Sequence, residues 1–297
     1  PEGGSGYGYS GPYRVARDGS AEAIDPDWGN GQPVLDPEVS PDGTRLVAMV
    51  PDGDSLGYSP ASIWVKNMES WSLQQLTLEG DSRFPSWTPD GRSVTYSSNR
   101  AGGFDIWMEP ADNSGSAELV LDLEESIFEP QWSPDREWLV FRTNLEGPGG
   151  GDIFAIRPGT GMDPLPLAAT IHSEKGPRLS PDGRWLAYMS DRSGRWEVYV
   201  VPFPNAEETE WLVSEGGHLP EWAPNGAELF YLNDDLEIVA VRVRTSPTFV
   251  RLADTVLPIQ VIGGGPAYSA YGPVGGDDGF ILTVRPPGGL NRLFPVV

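Results

Sequence analysis

Cysteine is absent from the 297 residues, and only two histidines occur, His172 and His218. The first absence removes disulfides, thiolate zinc sites and thiol chemistry together, and it leaves an oxidising compartment permitted. Basic residues are scarce: 20 Lys and Arg stand against 43 Asp and Glu, a formal net charge of −23. A field of that sign repels phosphate backbones and anionic headgroups, which argues against a nucleic-acid partner. No stretch approaches the ~18 uninterrupted apolar residues of a membrane-spanning helix, so no transmembrane segment is expected. The kinase tripeptides His-Arg-Asp and Asp-Phe-Gly are missing, and the chain is read as lacking the nucleophile elbow of serine hydrolases.

What is present is enough for a large core. A chain of ~300 residues can bury about three quarters of its unfolded surface. Its 37 glycines and 30 prolines are together about 23% of the chain, just below the ~25 to 30% of low-complexity sequence and unfavourable to long helices. The chain begins at Pro1, which raises the expectation of a removed N-terminal segment such as an export signal.

A repeat organises almost everything else. Five segments share Pro, any residue, a large apolar or aromatic residue, a small residue, Pro, Asp or Asn, and usually Gly. They are Pro37 to Gly43, Pro85 to Gly91, Pro130 to Arg136, Pro177 to Gly183 and Pro220 to Gly226, and a degenerate sixth runs from Ser269 to Gly275. Measured at the second proline, the steps are 48, 45, 47, 43 and 49 residues. Ser-Pro-Asp-Gly suits a turn, because Pro presets φ, Ser and Asp accept hydrogen bonds, and Gly supplies conformational freedom. Apolar runs such as Arg45 to Met49 and Arg184 to Tyr188 follow as strands. Polar loops such as Ser98 to Gly102 and Ser190 to Gly194 come next, then further strands such as Phe104 to Trp107 and Trp196 to Tyr199. Four strands in a unit of this length predict an all-β chain folded as a β-propeller.

The turn, the aromatic-ended strand, Ser-Asp-Arg-x-Gly and the acidic residue before Ile, Val, Trp or Tyr resemble the TolB-type, WD40-like propeller repeat of bacteria over residues 33 to 285. Residues 190 to 243 are also similar to propellers that follow bacterial serine/threonine kinases, through Tyr199 to Pro204 and Glu228 to Tyr231. The resemblance implies a six-bladed propeller of four-stranded antiparallel blades, often periplasmic or otherwise exported, whose relatives mostly bind other proteins or accompany an enzymatic domain. The sixth unit has strands expected at 267–271, 279–284 and 292–297, one short of four; residues 12–16 and 21–24 are strand-like and precede the first blade, and the N-terminus is expected to supply the missing strand. Residues 1–11 would be a flexible Gly/Ser/Tyr arm, and 12–297 one propeller domain. The G-x-G-x-x-G at residues 6–11 has no preceding strand and is followed by Pro12, so it does not read as a nucleotide fingerprint.

Strand order fixes which face is expected to work. The Ser-Pro-Asp-Gly turns lie on one face, and the loops joining second to third strands and blade to blade lie on the other. Varied loops on a rigid scaffold carry binding. The expected partner-binding set is therefore Arg83, Phe84, Phe128, Glu129, Lys175, His218 and Tyr268, just before the motif prolines, with Arg100, Asn144 and Arg192 in the second-to-third loops. No catalytic residue, cofactor or metal is expected. The two histidines lack a third ligand, and the acidic stretches at 25–31 and 277–279 have the wrong register for a calcium loop. Trp87, Trp132 and Trp222 are expected to pack between blades. The expected function is a non-enzymatic interaction or scaffold subunit of a periplasmic or membrane-associated assembly. A small-molecule-sensing propeller, or a hydrolase or lyase using the central funnel, are the alternatives.

Overall fold

A computed structural model of the chain describes residues 11–25, 28, 33–53, 59–143, 150–261, 269–275 and 279–283. Among them are six four-stranded antiparallel sheets and no helix, arranged as a six-bladed β-propeller. Each repeat becomes one blade, and its motif forms the innermost strand. These inner strands are Leu35–Val39, Ser82–Trp87, Ile127–Trp132, Glu174–Leu179, His218–Trp222 and Tyr271–Pro273. They surround a central channel.

The motif turn explains the first hairpin of each blade. In blade one, Ser40 Oγ donates to Asp42 Oδ1 at 2.6 Å, and Asp42 Oδ1 accepts from the Thr44 N–H at 3.0 Å. The Gly43 N–H closes the turn on the Ser40 carbonyl at 2.8 Å, with Gly43 at φ +77°. That is a type I turn followed by a left-handed residue, within a four-residue connection between Ser40 and Arg45, which pair through the Ser40 N–H and the Arg45 carbonyl at 2.8 Å. Blade three has Arg136 in the glycine's place and holds it at φ +60°.

The second strands sit between neighbouring blades and are buried on both faces. Leu46 to Val50 and Trp185 to Ser190 are continuously buried, as expected of a strand covered on both sides. The three motif tryptophans stitch the seams as the sequence suggested. Trp87 Nε1 donates to the Glu38 carbonyl at 2.9 Å, Trp132 Nε1 to Thr95 Oγ1 at 2.9 Å and Trp222 Nε1 to the Arg178 carbonyl at 3.0 Å. Each partner belongs to the preceding blade, so the rings pack apolar surface while their one polar atom is satisfied.

Closure of the ring differs in detail from the expectation. The N-terminus supplies two strands, not one: Tyr13–Val15 lies third and Ala21–Ala23 fourth, outside Phe280–Leu282. Arg14 registers opposite Ile281 on one side and Glu22 on the other. The strand expected at 292–297 lies outside the described residues, and the place foreseen for it is filled by Tyr13–Val15. Residues 1–10 of the expected arm also lie outside the described residues.

Candidate functional site

The residue before each first motif proline has left-handed backbone: Asp36 at φ +49°, Phe84 at +53°, Glu129 at +55°, Gly176 at +61° and Leu219 at +55°. Strand pairing slips at the same place in all five blades, for instance between Arg83 and Ser86 and between Lys175 and Arg178. The inner strands of these five blades therefore each carry a bulge beside the channel. For a residue other than glycine this conformation costs of order 1 to 3 kcal/mol, and such strain is held where the surrounding structure demands it. The bulge brings this position and the one two residues later to the channel wall, where Asp36, Glu38, Phe84, Ser86, Glu129, Gln131, Gly176, Arg178, Leu219 and Glu221 line a cavity of about 200 Å³.

Those side chains bind the blades to one another. Glu38 Oε1 accepts from the Trp87 N–H at 3.2 Å, Glu129 Oε2 from the Gly176 N–H at 2.9 Å and Gln131 Oε1 from the Leu179 N–H at 2.6 Å. Arg178 Nε donates to Glu221 Oε1 at 2.8 Å, and Asp36 Oδ1 accepts from the Ser269 N–H at 2.7 Å. Electrostatics follow from this crowding. Burial pushes the carboxyls of Asp36 and Glu38 each up to about 7 and raises that of Glu221. Burial opposes the charge of Arg178, yet Glu221 outweighs it and holds the guanidinium above its ordinary pKa.

On the face opposite the motif turns, three aromatic rings meet beside the channel mouth. Phe84 and Phe128 pack edge to face at 5.9 Å between centroids, and Phe104 and Phe128 meet tilted by 43° at 4.9 Å. Cations stand over these and neighbouring rings: Arg142 over Phe128 at 5.1 Å, Arg100 over Trp107 at 5.1 Å and Lys175 over Trp196 at 5.5 Å. Phe84, Phe128 and Glu129 of the expected set are thus brought together, with Phe104 and Arg142 added to them.

The remaining members are placed differently. Arg83 is paired with Asp81 at 2.7 Å and Arg142 with Glu129 at 3.2 Å. Arg192 is bridged to Glu210 and stacked 3.6 Å from the Tyr199 ring centroid. Burial lowers the pKa of Lys175 and of His218, which is buried at the start of its strand. Phe84 and Glu129 are strand bulges and not loop residues. Asn144 and Tyr268 lie outside the described residues. His172 is half-exposed, with Nδ1 4.0 Å from Asp191 Oδ1. Among the described residues, no three His, Cys, Asp or Glu side chains gather as a metal site.

The channel residues were visible in the sequence only as the variable slot of an otherwise regular motif: Glu38, Ser86, Gln131, Arg178 and Glu221. One expectation needs correcting outright. The chain does contain a G-x-S-x-G, Gly53-Asp54-Ser55-Leu56-Gly57. It joins strands Arg45–Pro51 and Ala61–Asn67, which pair antiparallel as neighbours in blade one. A nucleophile elbow requires a strand leading into a helix, and this segment connects two strands. Residues 54–58 lie outside the described residues.

No family model matches the chain. In sequence it is similar to the Tol-Pal system protein TolB of Francisella tularensis, 23% identical over 195 residues that cover 63% of this chain and 43% of the relative. It is also similar to a Bacillus subtilis protein, YuxL, named as an uncharacterized peptidase, 24% identical over 213 residues covering 57% of this chain and 32% of that one. A solved structure from Agrobacterium tumefaciens assigned to TolB superposes with a TM-score of 0.69 at 19% identity, covering 94% of this chain and 98% of that one. The likeness is to TolB-type propellers. The chain spans less than half the length of the Francisella and Bacillus relatives, and the structural likeness concerns the fold, the ring of six blades.

Proposed function

We propose that this TolB-like propeller is a non-enzymatic interaction subunit that docks a partner protein of a bacterial envelope assembly on the face opposite its motif turns. The observation that carries the reading is the Phe84, Phe104 and Phe128 cluster, which spans two blades at the channel mouth, with Arg142 over Phe128 and, in the next blade, Lys175 over Trp196. Aromatic and basic anchors on a rigid frame are the residue types that dominate interface energetics. The likeness to TolB, a protein named for the Tol-Pal system, supports a periplasmic location and a protein client. The peptidase name of YuxL belongs to a protein of which this chain matches about a third.

The test is co-purification from detergent-solubilised envelope membranes with the intact chain as bait. A stoichiometric partner is expected that is lost with Phe84→Ala and Lys175→Glu together and kept with Arg184→Glu on the turn face. Retention of the partner by the first variant, with its fold verified by circular dichroism, would overturn the choice of face.

A further inference from the structure

Carboxylates around the channel are held in direct ion pairs on one side and by neutral hydrogen-bond donors on the other. Arg178 is matched by Glu221 at 2.8 Å, and Glu129 by Arg142 at 3.2 Å. On the first blade, the hydrogen-bond donors to Asp36 and Glu38 among the described residues are neutral, namely the Ser269 N–H at 2.7 Å for Asp36 Oδ1, the Trp87 N–H at 3.2 Å for Glu38 Oε1 and Ser86 for Glu38, while the Arg178 guanidinium attracts both only at longer range. Among the described residues, Asp36 Oδ2 is buried and accepts no hydrogen bond. A carboxylate oxygen enclosed without a donor is destabilising, so this wall favours a cation held in the channel beside it.

The chemistry of that donor can be narrowed. No three acidic or His side chains among the described residues gather at metal distance, which disfavours a coordinated divalent ion. Asp36 has one oxygen on Ser269 and the other enclosed, so its carboxylate does not present both oxygens to a planar guanidinium fork. A compact ammonium with three donors suits separated single acceptors. The rest of the cavity wall includes Val39, Phe84, Met189 and Leu219, an apolar surface suited to an aliphatic stem. The overall charge of −23 draws cations toward the channel.

We propose that Asp36 and Glu38 form a binding site for a primary alkylammonium group, its aliphatic stem lying along the apolar part of the channel. The group is either a free small amine or a lysine side chain presented by another chain. This site lies inside the channel and shares the Phe84 ring with the docking face above, but its charged groups, Asp36 and Glu38, take no part in that face, and neither proposal stands or falls with the other.

The experiment is calorimetric titration of the intact chain at pH 8, above the value of about 7 to which burial pushes both carboxyls. The ligands are n-butylamine, 1,4-diaminobutane, n-butanol and a capped Gly-Lys-Gly peptide. Saturable binding of the amines without binding of butanol is expected, weakened roughly tenfold or more in Asp36→Asn/Glu38→Gln by loss of charge-assisted hydrogen bonds. The amides keep an acceptor oxygen for Ser269 and Trp87, so the ring is expected to fold, and Glu38→Gln alone gives the same comparison with a smaller loss. Tighter binding of the peptide than of butylamine assigns the ammonium to a partner's lysine, and the reverse order assigns it to a free amine. Equal binding of butanol, no saturable amine binding, or binding indifferent to both amide variants would overturn the site.

Discussion

The hydroxyl of Tyr271 donates to the backbone carbonyl of Leu219 at 2.6 Å, and with it the last blade is fastened to the fifth. Leu219 is one of the left-handed bulge residues, so the bond also pins a strained backbone. Tyr271 is fully buried, and burial holds its phenol well above the ordinary value, so the hydroxyl keeps its proton across all working conditions. Tyr271→Phe is expected to cost about 1 to 3 kcal/mol, the penalty of leaving a buried carbonyl unpaired, read as a lower denaturant midpoint with unchanged slope.

Trp87 offers a larger effect. It is buried against the first blade, bonds the Glu38 carbonyl through its indole N–H, and lies under the Arg45 guanidinium at 4.7 Å. Trp87→Ala is expected to cost ~3 to 5 kcal/mol, as large-to-small changes do where the cavity cannot collapse. A melting temperature equal to the parent's would contradict its place in the seam.

Arg136 occupies the turn position where the first, second, fourth and fifth blades have glycine, at φ +60°. Its side chain reaches Asp90 of the neighbouring blade at 2.7 Å, but both partners are more than a third exposed, and such pairs contribute little. Relief of the left-handed strain outweighs that loss, so Arg136→Gly is expected to stabilise by about 1 kcal/mol in thermal or chemical unfolding.

Opposite shifts on turn and channel carboxyls set the pH dependence. The Ser40 hydroxyl, helped by Thr44, holds Asp42 at about 2, so its stabilisation is present above the unfolded value near 4 and lost as pH falls toward 2. Asp36 and Glu38 behave in reverse. Raised to about 7, they bind protons in the folded state that the unfolded chain has released, and this stability disappears as pH climbs from about 4 through 7. Arg178, Glu129 and Glu221 share the same channel and modulate the size of the effect. Melting temperature is expected to peak between those limits. Glu38→Gln is expected to raise stability by roughly 2 to 3 kcal/mol at pH 8 and hardly at all at pH 4.

The sequence made the ring legible because its signals are local. Ser-Pro-Asp-Gly specifies its own hairpin through bonds spanning two to five residues, as Ser40, Asp42 and Arg45 show. The spacing of such turns then counts the blades, and an indole at the same motif position points to the same seam. The channel was illegible for the opposite reason. Asp36 and Phe84 have no left-handed signature, since neither is glycine and both precede proline, which ordinarily favours extended backbone. Their conformation comes from the bulge, a property of the sheet. Likewise, Arg83 and Arg192 carry the charge and shape of interface anchors in the sequence, but Asp81 and Glu210 that neutralise them are recognisable only once the blades are folded.

The mixed parentage of the sixth blade bears on the order of events during folding. Arg14 cannot meet Ile281 until the chain between them has been made, so the first strands of the ring wait for its last. Blades one to five have all their strands close in sequence and are free to form as successive hairpins. The final pairing is the most non-local in the molecule and is expected to be slow, in keeping with the cost of distant contacts. Until it occurs the ring is an open arc with bare edges at both ends, a state prone to off-pathway association.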